Sequence, residues 1–156
     1  MIAAALMWLL QDLCQVLAMG FLLVPEFFLL VVLYKIVSGP QDAGRISWWL
    51  WFAFAGGVLW DLRWAADPGM SGLVNVAAVA VAWWIWDRTP QGGRSALLFA
   101  AIAGGLHFFS GLAHYLAWAV PSLEATRMFL AQQLMMAPLL AVLCMIYAFG
   151  AQETHV

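Results

Sequence analysis

Acidic, amide and imidazole side chains interrupt otherwise apolar stretches of this sequence, and they are the first candidates for chemistry. Gln11, Asp12 and Gln15 interrupt the first stretch, and His107 and His114 interrupt the fifth. Gln11 and Gln15 are four residues apart, so a helix places them on one face, with Asp12 beside them. An ionisable group within a membrane-spanning helix is costly and marks a candidate functional site. The sequence therefore predicts intramembrane polar contacts at Asp12, Gln15, His107 and His114.

Asp12 and His107 are predicted to lie at nearly the same depth in a membrane, roughly 15 and 18 Å from one face at 1.5 Å per residue. Gly104 and Gly111 share a helical stripe with His107, and small residues let another helix approach closely. We therefore expect a contact between Asp12 and His107 that joins the first and fifth helices. Two roles are open for this pair: a hydrogen bond that fixes helix packing, or part of a proton relay or solute site.

The spacing does not favour a haem, zinc or hydrolase site. His107 and His114 are seven residues apart on one helix, roughly 10 Å along its axis, so they cannot ligate one iron from both sides, and the third histidine, His155, lies in the polar tail. No cluster of three or four zinc ligands is present. Ser110 is three residues from His107, but the sequence has no Gly-x-Ser-x-Gly and no evident oxyanion hole. We predict no enzymatic activity, no metal and no cofactor.

The elements that position these residues are predicted to be membrane-spanning helices. The chain is 66% hydrophobic and 9% charged, whereas a soluble domain carries roughly 25% charged residues. Lipid cannot satisfy backbone hydrogen bonds, and the apolar blocks are too continuous for barrel strands. We predict an all-α integral membrane protein, a bundle of six transmembrane helices in a single transmembrane domain 1–156. The predicted helices are 2–19, 26–37, 46–62, 70–86, 95–120 and 128–149.

The distribution of basic residues predicts that both termini are cytoplasmic. Four basic residues flank the second and fourth connections, and two lie in the third and fifth, which places the even-numbered connections inside; they are Lys35, Arg45, Arg88 and Arg94 against Arg63 and Arg127. Tryptophans near the helix ends are expected to be interfacial anchors, at Trp48, Trp49, Trp51, Trp60, Trp64, Trp83, Trp84 and Trp86. The net charge of −2 and the absence of a basic tract argue against binding to nucleic acid.

The second predicted helix is short and follows a proline. Pro25 suits a helix start, because the N–H that proline lacks is not needed there. The span measures about 20 Å, against a hydrocarbon core of roughly 30 Å. In the sixth helix, Pro138 is expected to produce a kink and to free a backbone carbonyl.

Three motifs in the region from Pro25 to Trp86 resemble those of a known family. The second helix is introduced by Pro25-Glu26, and the third helix ends in Gly56-Gly57-Val58-Leu59-Trp60-Asp61-Leu62. A glycine-containing turn then leads into the fourth helix as Gly69-Met70-Ser71-Gly72-Leu73. In these motifs, and in its length, the chain resembles the rod shape-determining protein MreD family.

The resemblance implies a non-enzymatic membrane scaffold of the bacterial cell-elongation complex, which directs peptidoglycan synthesis and rod shape. It implies a multi-pass protein of the inner (cytoplasmic) membrane, embedded in the lipid bilayer. The implied partners are MreC and, through it, MreB, RodA and a class B penicillin-binding protein. Asp61 is the family position that transfers most directly, and it is expected to pair with Arg63, to bond the turn at Ser71 or Gly72, or to contact a partner. The residues implied to be partner-binding or structural are Pro25, Glu26, Asp61, Arg63, Gly69 and Gly72.

A second class of protein also has six helices and a similar size: the substrate-binding S-component of an energy-coupling-factor vitamin transporter. Such a subunit needs a solute pocket that opens to the outside, so it should show many polar residues in the outer half of its spans. Here the main candidates are few, namely Gln132, Gln133, His114 and Asp61. The sequence therefore favours the scaffold.

Overall fold

The computed structural model describes residues 2–18, 24–39, 42–64, 68–118 and 122–153, with only the backbone described for 117–118 and 151–153. Within these ranges the chain forms six α-helices, which confirms the predicted all-α class. They are α1 (Ile2–Ala18), α2 (Phe27–Val37), α3 (Ala43–Trp64), α4 (Met70–Arg88), α5 (Ala96–Trp118) and α6 (Leu123–Glu153). A short 3-10 turn, Gln91–Gly93, lies between α4 and α5.

Within the described ranges, three helices are long and apolar enough to cross a membrane: Met70–Arg88, Ala96–Leu116 and Leu123–Gly150. Ile2–Ala18 and Phe27–Val37 are shorter apolar helices. Large apolar side chains point outwards on several helices, for example Leu17 at 70% exposure and Leu97 at 80%. Continuous exposed apolar surface of this kind is unusual for a water-soluble protein, so the exterior is suited to lipid.

Polar residues at two helix starts extend the helices beyond their apolar segments. α6 begins directly after Ser122, whose hydroxyl accepts a hydrogen bond from the Ala125 N–H at 3.0 Å. α3 begins directly after Asp42, whose carboxylate accepts one from the Arg45 N–H at 3.1 Å. Such caps satisfy N–H groups that the first helical turn leaves free. Both helices therefore start earlier than the apolar pattern predicted.

The short helix α2 lies at the centre of the packing. Its side chains at Leu30, Val32, Leu33 and Ile36 are fully buried, and it contacts all five of the other α-helices. A helix that is apolar all round is expected to be enclosed by other helices. The apolar composition of α2 is thus consistent with its position inside the bundle.

Two tryptophans predicted to be interfacial anchors belong to the core instead. Trp49 and Trp86 are 6% and 1% exposed, and the Trp86 ring packs edge-on against Tyr147 at 5.6 Å and Phe99 at 6.5 Å between ring centroids. Aromatic edge-to-face pairs of this kind add to the stabilisation from burial. Other predicted anchors do face outwards, namely Trp48, Trp51, Trp64 and Trp84.

Candidate functional site

The start of α2 lies inside the bundle, beside the middle of α1. The Phe28 N–H donates a hydrogen bond to Gln11 Oε1 at 3.1 Å, and Gln11 is well inside α1. Val24, Pro25 and Glu26 precede the helix in non-helical conformation, and all three are buried. The backbone polar groups of this segment therefore need partners from within the protein.

Glutamine side chains from α1 and α6 supply those partners. Gln15 Oε1 accepts a hydrogen bond from the Val24 N–H at 3.2 Å, and Gln132 Nε2 donates one to the Val24 carbonyl at 3.1 Å. An unpaired buried backbone group costs about as much as a lost hydrogen bond. The predicted polar face of α1 is thus a support for the entry into α2, and Gln132 on α6 completes it.

Glu26 is the centre of a second set of contacts, which involves α5. Its Oε1 atom accepts a hydrogen bond from the Ser110 hydroxyl at 2.8 Å and lies 3.3 Å from His114 Nδ1. His114 Nδ1 is also 2.8 Å from the Ser110 carbonyl, and His114 Nε2 is 2.9 Å from the Ser71 hydroxyl. One imidazole therefore joins the start of α2 to α4 through α5.

Asp61 fixes the start of α4 from the end of α3. Its Oδ2 atom accepts hydrogen bonds from the Gly69 N–H at 2.8 Å and the Ser71 N–H at 2.9 Å, and the residue is fully buried. Gly69 has a φ of 103°, in the left-handed region where glycine is favoured. Of the options open from the sequence, the turn contact at Ser71 is the one observed. Arg63 pairs elsewhere.

The predicted contact between Asp12 and His107 is wrong. Asp12 Oδ1 instead accepts a hydrogen bond from Trp64 Nε1 at 2.9 Å and pairs with Arg63 Nε at 2.8 Å. His107 is fully buried, and neither ring nitrogen has a hydrogen-bond partner within the described ranges; the Glu26 carboxylate lies within electrostatic range. Because the end of α3 offers Asp12 both an indole N–H and a guanidinium, similar depth does not bring it to α5.

The glycine stripe of α5 faces α6. A methyl group added at Gly111 would lie 2.9 Å from Gln133 Nε2 and 3.3 Å from Gln132 Oε1, and one added at Gly104 would lie 3.9 Å from Leu140. Small residues therefore allow α5 and α6 to approach closely, as expected for helices packed within a membrane. Trp118 lies seven residues after Gly111 on the same stripe, but its side chain is outside the described part of the structure, as is His155.

These contacts surround a cavity of about 480 Å³. It lies where α1, α3 and α5 end and where α4 and α6 begin. Its aromatic wall includes Trp8, Trp60, Trp64 and Tyr115, and its polar wall includes Gln11, Gln15, Glu26, Asn75, His114 and Gln132. Three polar residues at this site are not predicted from the sequence pattern, although each interrupts an apolar stretch: Ser71, Asn75 and Ser110.

Ser71, His114 and Glu26 are arranged like a serine, its base and an orienting carboxylate, but the backbone N–H groups closest to this serine are already occupied. The N–H groups of Gly69 and Ser71 both bind Asp61, and a Cβ atom on Gly57 would lie 2.5 Å from the Gly72 nitrogen, so α3 covers that group. Acyl transfer depends strongly on such donors. These backbone groups therefore do not form an oxyanion hole beside Ser71.

Within the described ranges, no group of three or more histidine, cysteine or carboxylate side chains could hold a metal ion. Cys14 and Cys144 are free thiols. Comparisons of the chain with protein-family models, with curated proteins and with solved structures find no match.

Proposed function

We propose that the chain is a non-enzymatic scaffold of the bacterial cell-elongation machinery, as its resemblance to the MreD family implies. One observation supports this proposal most directly. The residues that carry the resemblance contact one another: Asp61 binds the turn at Gly69 and Ser71, and Gly57 packs against the backbone of Gly72. The motif residues at the end of α3 and at the start of α4 therefore act together in one turn, as expected if this motif specifies the turn.

We further propose that all six helices cross the bacterial inner membrane and that both termini are cytoplasmic. α3 has 22 residues, roughly 33 Å at 1.5 Å per residue, which matches a hydrocarbon core of roughly 30 Å. Carboxylate side chains such as Asp12, Glu26 and Asp61 are buried, while many large apolar side chains are exposed. This distribution suits a protein surrounded by lipid, and the distribution of basic residues supports the orientation.

A scaffold must present faces to other transmembrane helices. α3 exposes Trp51, Leu59 and Leu62 along one side, at 63%, 52% and 68%. Because lipid and leucine are similarly apolar, docking there would depend on packing between helices rather than on the hydrophobic effect. The partners proposed from the resemblance are MreC and, through it, MreB, RodA and a class B penicillin-binding protein.

The test is affinity capture of the tagged chain from bacterial membranes in mild detergent, followed by mass spectrometry. A tagged, unrelated six-helix membrane protein expressed at the same level is the control for non-specific association. Enrichment of MreC and RodA over this control is the expected result. Their absence, at a yield that recovers intact protein, would contradict the scaffold function.

The second candidate is the substrate-binding S-component of an energy-coupling-factor vitamin transporter. The observation that favours it is the cavity, because polar side chains that are far apart in the sequence gather around one open pocket. With cytoplasmic termini, the cavity lies in the outer half of the bundle, which is where such a subunit needs its solute site. In the same capture experiment, recovery of a pair of ATPases with a coupling subunit would support this candidate over the scaffold.

A further inference from the structure

Several amide side chains at the cavity are hydrogen-bonded through one polar atom only. Gln11 and Gln15 accept backbone hydrogen bonds through Oε1, and Gln132 donates one through Nε2. The other polar atom of each amide makes no hydrogen bond to a described residue, and none of these atoms is among the enclosed unpaired ones. All three residues line the cavity, and Gln11 Nε2, Gln15 Nε2 and Gln132 Oε1 are not enclosed by protein.

Asn75 adds an amide with no partner at all within the described ranges. It lies on α4, is 7% exposed and lines the cavity, and neither its oxygen nor its nitrogen is hydrogen-bonded to a described residue. Neither amide atom is among the enclosed unpaired atoms, so both are accessible at the cavity wall. The Asn75 amide can therefore pair with a ligand there without first breaking a hydrogen bond within the described part of the protein.

The aromatic wall of the cavity is rigid. Trp8 Nε1 donates a hydrogen bond to the Gly56 carbonyl at 3.0 Å, and Trp64 Nε1 donates one to Asp12 at 2.9 Å. The Trp60 and Trp64 rings pack against each other with centroids 6.0 Å apart. Fixed indole faces offer a surface on which a flat ring can stack.

The charge of the wall favours an uncharged ligand. Glu26 Oε1 is occupied by Ser110 and His114, and Glu26 Oε2 is enclosed. Asp12 is paired with Arg63. The groups presented to the open volume are therefore mainly amides and indoles, and its size falls in the lower part of the range for small-molecule pockets, roughly 300–1,000 Å³.

We propose that the cavity binds a small, flat, uncharged nitrogen heterocycle that carries an amino group beside a ring nitrogen. The oxygen and nitrogen of one amide pair together with such an edge, as asparagine and glutamine do with adenine. The ligand ring stacks on the indoles, and the Asn75 amide forms hydrogen bonds with the amino group and the ring nitrogen. This inference names a solute class for the second function proposed above, and it does not depend on the scaffold function.

Calorimetry with the full-length protein in lipid nanodiscs tests the inference, with adenine as the probe and purine, which lacks the amino group, as the matched ligand. We expect adenine to bind and purine to bind about tenfold more weakly or worse. Asn75→Leu should weaken adenine binding by a similar factor, whereas Gln91→Leu, which changes an exposed amide away from the cavity, should leave it unchanged. A melting curve of each variant without ligand shows whether it is folded.

Three results would overturn the inference. The first is that adenine produces no binding heat at concentrations up to about 5 mM, which would mean a dissociation constant weaker than the millimolar range. The others are equal binding of adenine and purine, and unchanged adenine binding by folded Asn75→Leu. A partner's side chain or a lipid chain in the cavity would give the first result. Failure here is distinguishable from failure of the transporter function, because capture of the ATPase pair does not depend on the ligand.

Discussion

Replacing the buried carboxylate of Asp61 should destabilise the fold far more than replacing an exposed carboxylate. Asp61 is fully buried and accepts two backbone hydrogen bonds, from Gly69 at 2.8 Å and from Ser71 at 2.9 Å. A hydrogen bond to a charged group contributes about 1.5–3 kcal/mol, so Asp61→Ala should lower the free energy of unfolding by about 3–6 kcal/mol. Loss of an ordinary helix cap costs only about 1 kcal/mol.

Reversible unfolding by SDS in mixed micelles, followed by tryptophan fluorescence, gives the free energy for each variant. Asp61→Asn keeps an oxygen acceptor without the charge, so it should lose about half as much as Asp61→Ala. Asp87→Ala is the matched control, because Asp87 is an exposed carboxylate at the other end of α4, and it should change the free energy by less than about 0.5 kcal/mol. A loss below about 1 kcal/mol for Asp61→Ala would refute the assignment of Asp61 as the residue that fixes the start of α4.

Two further predictions concern helix packing and the partner of Asp12. Gly57→Ala should destabilise the fold by at least about 2 kcal/mol, because its Cβ atom would lie 2.5 Å from backbone. Gly105→Ala, where the new atom meets nothing within 4 Å, should be neutral or stabilising; equal effects of the two in thermal melts would contradict the close approach of α3 and α4. In double-mutant cycles, Asp12→Ala and Trp64→Phe should be non-additive by about 1 kcal/mol, whereas Asp12→Ala and His107→Leu should add. Coupling of Asp12 to His107 alone would restore the contact predicted from the sequence.

The helices could be predicted from the sequence because burial in lipid and burial in protein both require apolar residues. Each of the six apolar blocks became a helix, and the predicted bounds differ most where polar caps such as Ser122 extend the first turn. The turn contact of Asp61 was among the predicted options for a different reason. Its partners follow it closely in the sequence, so local geometry limits which groups it can reach.

The partners of the other polar residues could not be predicted, since they depend on how the helices rotate and on where α2 enters the bundle. Gln132 donates a hydrogen bond to the Val24 carbonyl although the two residues are 108 positions apart in the sequence. Local sequence patterns do not predict contacts between residues so far apart. Asp12 and His107 were matched by depth alone, and depth does not fix which helix a side chain faces. Asn75 gave the weakest signal, a single amide among alanines and valines, although the cavity argument depends on it.

The labelling of single cysteines from outside the cell tests the proposed topology most directly, namely six spans with both termini cytoplasmic and the cavity end outward. Cys14 and Cys144 are first replaced by alanine. Pro68→Cys and Glu124→Cys lie at that end, and Ala43→Cys and Gly92→Cys lie at the opposite end; all four positions are exposed. A membrane-impermeant maleimide applied to intact bacterial cells should label the first pair, and should label the second pair only after lysis. Labelling of the second pair in intact cells, with or without labelling of the first pair, would contradict the proposed six-span orientation.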